Sequence, residues 1–398
     1  MSSVSRRALL AGGVGTLFCA ACSSAENAAA PTTATASTTT SPSAGATTSA
    51  APSTSATPSA TAGSATGSAT LGRTLATGLR VPWGLARLPD GTVLVTTRDG
   101  YQIFAANLGS GDVTLLGSVQ GAVSNVAQAG EGGLLGVAVS PAFTEDRLLH
   151  VYFSTASDNR IATVAYDPSQ PVGKRLGTPT VILSGIPHNV HHNGGRLGFG
   201  PDGFLYATTG EAENPALAQD KGSLGGKILR MTAAGKPAPD NPFGTLVWSY
   251  GHRNVQGIAW DPAGRLWASE FGDKTADELN LIEPGKNYGW PATQGRTTVA
   301  GYTSPVAQWG TDEDSPSGIA YASGSVWMAA LKGQRLWRIP LNGTAVVADP
   351  QAFLVGQLGR LRSVLAVDDR TLLVTTSNRD GRSTPRDGDD RLVLVTVT

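Results

Sequence analysis

From about Gly72 to the end of the chain, short runs of Val, Leu, Tyr and Thr alternate apolar and polar positions, and Pro, Asp and Gly break them into pairs. The fullest copies are GLARLPDGTVLVTTRDG from Gly84, LGFGPDGFLYATTGE from Leu197 and GIAWDPAGRLWASEFGD from Gly257. Others begin at Gly136, Gly318 and Ser363. Period-2 runs joined by Pro-Asp-Gly turns predict antiparallel hairpins. The aligned turn positions, Pro89, Pro141, Pro201, Pro262, Ser323 and Asp368, lie 45 to 61 residues apart. A hairpin repeat of roughly 40 to 60 residues is the signature of a propeller, in which no blade can bury both its faces alone. Further runs from Arg160, Gly226, Glu278, Arg335 and Arg391 supply outer strands. The expected fold is therefore all-β, a six-bladed β-propeller forming one domain over residues 71–398. In such a ring, loops just after the inner strands are expected to gather at one channel mouth, so residues distant in sequence become neighbours.

The preceding sequence has a different character. Residues 22–70 are almost wholly Ala, Ser, Thr, Pro and Gly with Glu26 as the one charge, a composition expected of a disordered linker. Residues 1–21 combine Arg6-Arg7 with an apolar run from Ala8 to Ala21, too short for a permanent span, and read as a twin-arginine-like signal peptide. Cys19-Ala-Ala-Cys22 resembles a lipoprotein cleavage box, so Cys22 is the expected lipidation site. These features predict export and lipid anchoring on the outer side of the cell membrane.

Composition narrows the partners. Thirty basic residues balance thirty acidic ones, so electrostatics points neither to nucleic acid nor to an anionic membrane surface. Both cysteines, Cys19 and Cys22, precede the repeats, and a domain of more than 300 residues can fold without crosslinks.

Candidate chemistry clusters in HHNGGRLGFGPDGFLYATTGE, His191 to Glu211. His188, His191 and His192 lie in a Pro/Asn/Gly-rich loop, where no helix would align two rings on a metal. His192 is read as a general base or as a loop histidine satisfied by hydrogen bonds. Glu211, at the end of the following strand, is placed to fix its tautomer. Arg253 and Asn254 precede the fourth inner strand, Lys332 follows the fifth, and Arg360 and Arg362 precede the sixth. Converging at one mouth, these cations would form a pocket for a polyanion in an otherwise neutral protein. The Gly-containing acidic loop between Glu270 and Asp277-Glu278 suits a hard cation such as calcium.

Taken together, GEGGLLGVAVSPAF, HNGGRLGFGPDGFLY, YGHRNVQGIAW and DELNLIEPGKNYGWP strongly resemble the soluble PQQ-dependent glucose/sorbosone dehydrogenase family, the aldose sugar dehydrogenases. The resemblance covers residues 72–398. It implies His192 as catalytic base, Glu211 as its orienting carboxylate, and Arg253 as both a catalytic and a quinone-contacting residue. Glu131, His191, Asn254, Lys332, Arg360 and Arg362 are the remaining implied cofactor contacts. Gly272 and Asp273 would offer carbonyls to a catalytic calcium, and Glu278 with the Tyr288 carbonyl would hold a structural one. Three positions depart from the glucose enzymes: His191 replaces aspartate, Glu131 replaces glutamine, and Phe271-Gly272-Asp273 replaces His/Gln-Gly-Pro. The implied reaction is oxidation of an aldose to its lactone by hydride transfer to the quinone, with an external electron acceptor. Two other readings remain: a non-catalytic cell-envelope propeller binding a glycan or protein, and a calcium-dependent lactonase-like hydrolase.

Overall fold

Each repeat folds as its turn chemistry dictates. At Pro201-Asp202-Gly203 the chain reverses with Gly203 at φ 78°, the Gly203 N–H bonds to the Gly200 carbonyl at 2.9 Å, and the Asp202 carboxylate accepts the Phe204 N–H at 3.2 Å. That sets the register Leu197 opposite Ala207 and Phe199 opposite Leu205.

The computed structural model describes residues 63–398. The expected signal segment, the lipidation site Cys22 and the linker through residue 62 lie outside the described residues. Six antiparallel sheets form six blades. Their inner strands are Pro82–Arg87, Leu134–Val139, Leu197–Phe199, Val255–Trp260, Pro316–Ala322 and Leu361–Asp368. Each touches the next, and the sixth touches the first, so they enclose an axis.

Six apolar clusters hold the ring, one between each pair of adjacent blades. Between the first two, for example, Leu94, Ile103 and Leu116 pack on Val137, Leu149 and Val151. The last, between the sixth and first blades, joins Leu373 and Leu392 to Val93 and Val95. Because both faces of a blade meet a neighbour, the second strands Val93–Thr97, Leu205–Thr208, Leu266–Glu270 and Ser325–Ala330 are buried at every position. Their alternation therefore sorts side chains between two cores and not between core and water.

Two expectations change. The sixth blade takes its outermost strand from the start of the domain: Ala69–Ala76 pairs with Leu392–Val397, Ala69 opposite Val397. Bonds to the domain also begin before residue 71. The Gly63 N–H bonds to the Leu341 carbonyl at 2.7 Å, while Arg338 and Gln351 donate to the Ser64 and Ala65 carbonyls at 2.9 and 2.7 Å. The last residues of the expected linker are thus fixed against the fifth blade.

The second change concerns which loops converge. Segments just after the inner strands are the hairpin turns, with a short helix Phe143–Asp146 in the second blade, at the end away from the candidate chemistry. The groups that meet at the other end precede the inner strands or follow the second strands of each blade.

Candidate active site

His192 sits at φ 57°, a conformation uncommon for a residue with a Cβ. It is held there from several sides. Its N–H donates to Glu131 Oε2 at 3.1 Å, and its carbonyl accepts the Ala212 N–H at 3.1 Å. A Cβ on Gly210 would overlap that same carbonyl, so only glycine allows the third blade's loop to close over it. The ring Nδ1 lies 3.0 and 2.9 Å from Glu211 Oε1 and Oε2. Glu211 is buried, and its own N–H bonds to the Arg253 carbonyl at 2.9 Å. An ionised carboxylate can only accept, so the neutral imidazole carries its proton on Nδ1 and leaves the Nε2 lone pair free.

Arg253 turns toward the fourth-blade loop. Nη1 donates to the Gly272 carbonyl at 2.7 Å and Nη2 approaches Asp273 Oδ1 at 3.3 Å, while the guanidinium carbon lies 5.4 Å from the centre of the Trp290 ring. Its Nε is buried without a partner. Beneath it, the Glu270 carboxylate accepts the Arg253 N–H and lies 2.8 Å from His252 Nδ1, whose Nε2 is 2.8 Å from Ser249 Oγ. This fully interior row fixes the backbone from which Arg253 projects.

A cavity of about 400 Å³ opens beside these groups, lined by Glu131, Phe271, Ser315, Leu331, Lys332, Arg360, Arg362 and Arg382. The sequence-predicted cations Lys332, Arg360 and Arg362 do converge, but none is unpaired. Lys332 pairs with the exposed Asp312. Asp380, fully buried behind the wall, lies 2.9 Å from Arg360 Nη2 and 3.4 Å from Arg362 Nη2, and its Oδ1 accepts the Arg382 N–H at 3.0 Å. Burial would raise the Asp380 carboxyl, yet Arg360 and Arg362 hold it below its usual range. Burial pushes Arg362 down to about 9, an effect eased by Asp380 and deepened by Arg98 and Arg360. Arg98, itself fully buried, keeps Nη1 without a partner. A crowd of desolvated guanidiniums is stabilised by an anion entering the cavity.

Glu131, on the same wall, is the carboxylate expected to oppose such an anion. Its burial raises the carboxyl, but Arg382, His192 and Arg362 outweigh that and keep it ionised. Arg382 Nη2 stands 3.4 Å from Glu131 Oε1 and supplies the cation that offsets it.

Three predicted cofactor contacts lie off the cavity wall: Arg253, which lines the smaller space behind the fourth-blade loop, His191 and Asn254. His191 points outward and its Nδ1 lies 2.9 Å from Glu213, because the left-handed turn at His192 sends successive side chains in different directions. Asn254 is buried and its Oδ1 accepts the Gly194 N–H at 3.0 Å, bracing the His192 loop from the fourth blade. Neither lines the cavity.

The predicted metal positions form two groups. Gly272 and Asp273 present oxygens on one turn, partly engaged by Arg253. Glu278 and Tyr288 line a small space with Glu270, Arg253 and Trp290, which Gly272 also borders. Burial and then the charge of Glu270 push the Glu278 carboxyl up to about 7. Among the described residues no three His, Cys, Asp or Glu side chains are grouped to hold a metal, so a cation here would rely on carbonyl oxygens as well. A lactonase-type centre needs carboxylates and amides converging in the channel; the cavity wall instead carries four cations and one carboxylate.

Sequence reasoning missed Asp380 and Arg382. Their signal was positional: Glu211, Glu270, Lys332 and Asp380 all fall at or just after the end of the second strand of their blades.

A model of the family described as "Glucose / Sorbosone dehydrogenase" matches residues 79–386. The aldose sugar dehydrogenase YliI of Escherichia coli is 32% identical over 334 residues, covering 75% of this chain and 88% of that one. The PQQ-bound form of an aldose sugar dehydrogenase from Streptomyces coelicolor superposes with a TM-score of 0.82 at 56% identity, over 85% of this chain and 100% of that one. A putative oxidoreductase (glucose dehydrogenase) from Thermus thermophilus gives a TM-score of 0.73 at 40% identity, over 81% of this chain and 98% of that one.

Proposed function

Since the chain belongs to the glucose/sorbosone dehydrogenase family, we propose that it oxidises an aldose at its anomeric carbon to the lactone, with PQQ in the cationic cavity and calcium beside it. Membership makes it a sugar-oxidising oxidoreductase. One observation carries the assignment to residues: the His192–Glu211 pair is joined through Glu131 to a cavity walled by Lys332, Arg360, Arg362 and Arg382.

The residues present fit the cofactor. The cavity volume is that of a small-molecule site, and the guanidiniums of Arg360, Arg362 and Arg382 along its wall suit a planar polycarboxylate. For calcium, the Gly272 carbonyl and Asp273 supply hard oxygen donors, the carbonyl retaining a second lone pair beside the Arg253 bond. The buried carboxylates of Glu270 and Glu278 suit a second cation, which would offset their mutual repulsion. When bound, PQQ supplies the quinone that accepts hydride and calcium supplies charge to polarise it.

The chain's own contribution is positioning and proton transfer. With its Nδ1 proton committed to Glu211, His192 presents Nε2 to take the proton of the anomeric hydroxyl as the C–H bond breaks. Glu211 then stabilises the imidazolium across 2.9 Å. Arg253 places positive charge where oxygen charge develops. Lys332, Arg360 and Arg362 would hold the carboxylates, and Asp380 keeps the two arginines in place. Export with a lipid on Cys22 completes the proposal.

The test is to add PQQ and calcium to the apo-protein, follow the quinone absorbance, and measure dye reduction with aldoses. His192→Ala should keep cofactor binding and lose about 100-fold or more in turnover. Unchanged turnover would remove His192 from the role.

A further inference from the structure

Arg382 comes from the loop following the second strand of the sixth blade, and its guanidinium borders the cavity alongside Arg360 and Arg362. Its situation differs from theirs. Arg360 bonds Asp380 at 2.9 Å, and Arg362 bonds Gln256 Oε1 at 2.7 Å besides its contacts to Ser377 and Asp380. The Arg382 side chain makes a single polar contact, 3.4 Å from Glu131, at the long edge of hydrogen-bonding distance. Most of its five donors are therefore unused. The backbone beneath it is fixed, because the buried Asp380 accepts its N–H at 3.0 Å. A guanidinium on a rigid stem, loosely engaged and bordering a cavity, is a ready ligand for a carboxylate.

We propose that Arg382 is a fourth carboxylate-binding cation of the PQQ site, held against Glu131 before the cofactor arrives and exchanging that partner for a cofactor carboxylate on binding. This rests on the PQQ reading above. It assigns Glu131 two tasks at once. Its Oε2 fixes the His192 N–H, and its Oε1 keeps Arg382 at the cavity edge while the site is empty. It also accounts for a carboxylate on the wall of an anion site: Glu131 weakens the anion's attraction to the wall but leaves the cation beside it poised.

The alternative is that Arg382 only neutralises Glu131 and never meets the cofactor. A double-mutant cycle separates the two. PQQ is titrated, with calcium present and no sugar, into the wild-type chain, Arg382→Met, Glu131→Gln and the double variant, by the bound-quinone absorbance. If Arg382 binds the cofactor, Arg382→Met weakens PQQ binding about 10- to 100-fold, the range for hydrogen bonds to charged groups. The loss persists or grows in the Glu131→Gln background, where the arginine has no ion pair to surrender. Arg382→Lys should recover part of the affinity, and the apo-proteins' circular dichroism should match the wild type. If Arg382→Met costs nothing once Glu131 is Gln, the arginine is a counter-ion alone and the proposal is overturned. Absence of PQQ binding by the wild-type chain would instead overturn the cofactor reading, and this assignment with it.

Discussion

Glu211→Gln isolates how the imidazole is held. The substitution is nearly isosteric, so packing in the third blade should persist, but it removes the charge that stabilises protonated His192. The geometry determines the rest. Glu211 Oε2 also accepts the Glu213 N–H at 2.6 Å, so the amide oxygen of glutamine belongs on that side. Its NH₂ then occupies the Oε1 position, 3.0 Å from His192 Nδ1. Either the ring keeps its Nδ1 proton on the neutral amide oxygen at the Oε2 position, 2.9 Å away, with the NH₂ crowding it from the other side and no charge to stabilise the imidazolium, or it moves the proton to Nε2 and loses the lone pair needed for the sugar hydroxyl. A charge-assisted hydrogen bond contributes about 1.5–3 kcal/mol, which converts to roughly 10- to 150-fold in rate, and the wrong tautomer can raise the loss to about 10⁴-fold. The assay is steady-state dye reduction by enzyme saturated with PQQ and calcium, alongside the cofactor titration. The expected result is kcat lower by at least about 10-fold with PQQ affinity unchanged, because Glu211 does not line the cavity. A kcat within about twofold of wild type at full loading would refute the orienting role.

Two further outcomes follow from burial and topology. Glu278 titrates near 7 in the fold against an ordinary value of 4.5, so between these values the folded protein keeps a proton the unfolded chain has released. Calcium-free protein should therefore lose thermal stability as pH rises through that window, and Glu278→Gln should flatten the fall. Asp277 and Asp390, each raised by burial to about 6, will keep part of the slope; identical slopes in variant and wild type would refute the assignment to Glu278. A chain beginning at Thr77 lacks the strand Ala69–Ala76, leaves Leu392–Val397 as an open edge and loses the packing of Leu71 and Leu75. It should be destabilised by about 2–4 kcal/mol relative to one beginning at Gly63, read as a lower midpoint in urea. Equal midpoints would mean the closing strand contributes nothing.

The amino-acid order by itself determined the blades. The six hairpin repeats fix the number of sheets, because period-2 runs and Pro-Asp-Gly turns are local chemistry that needs no distant partner. It also determined the pairing of His192 with Glu211, since both belong to one hairpin unit and the strand length between them sets their approach. What only the tertiary structure decided is whatever crosses from blade to blade. That Ala69–Ala76 closes the sixth blade depends on ring closure, which brings the two ends of the domain together. His191 and Asn254 do not line the cavity, the first because the left-handed backbone at His192 turns it outward and the second because it is drawn across to the Gly194 N–H of the neighbouring blade. Arg382 reaches Glu131 across 251 positions of sequence, and Asp380 gathers three arginines, because both follow a second strand and so face the same end of the axis. Local pattern fixes which residues form a blade, whereas the charges that share a cavity are fixed by the closed circle of blades.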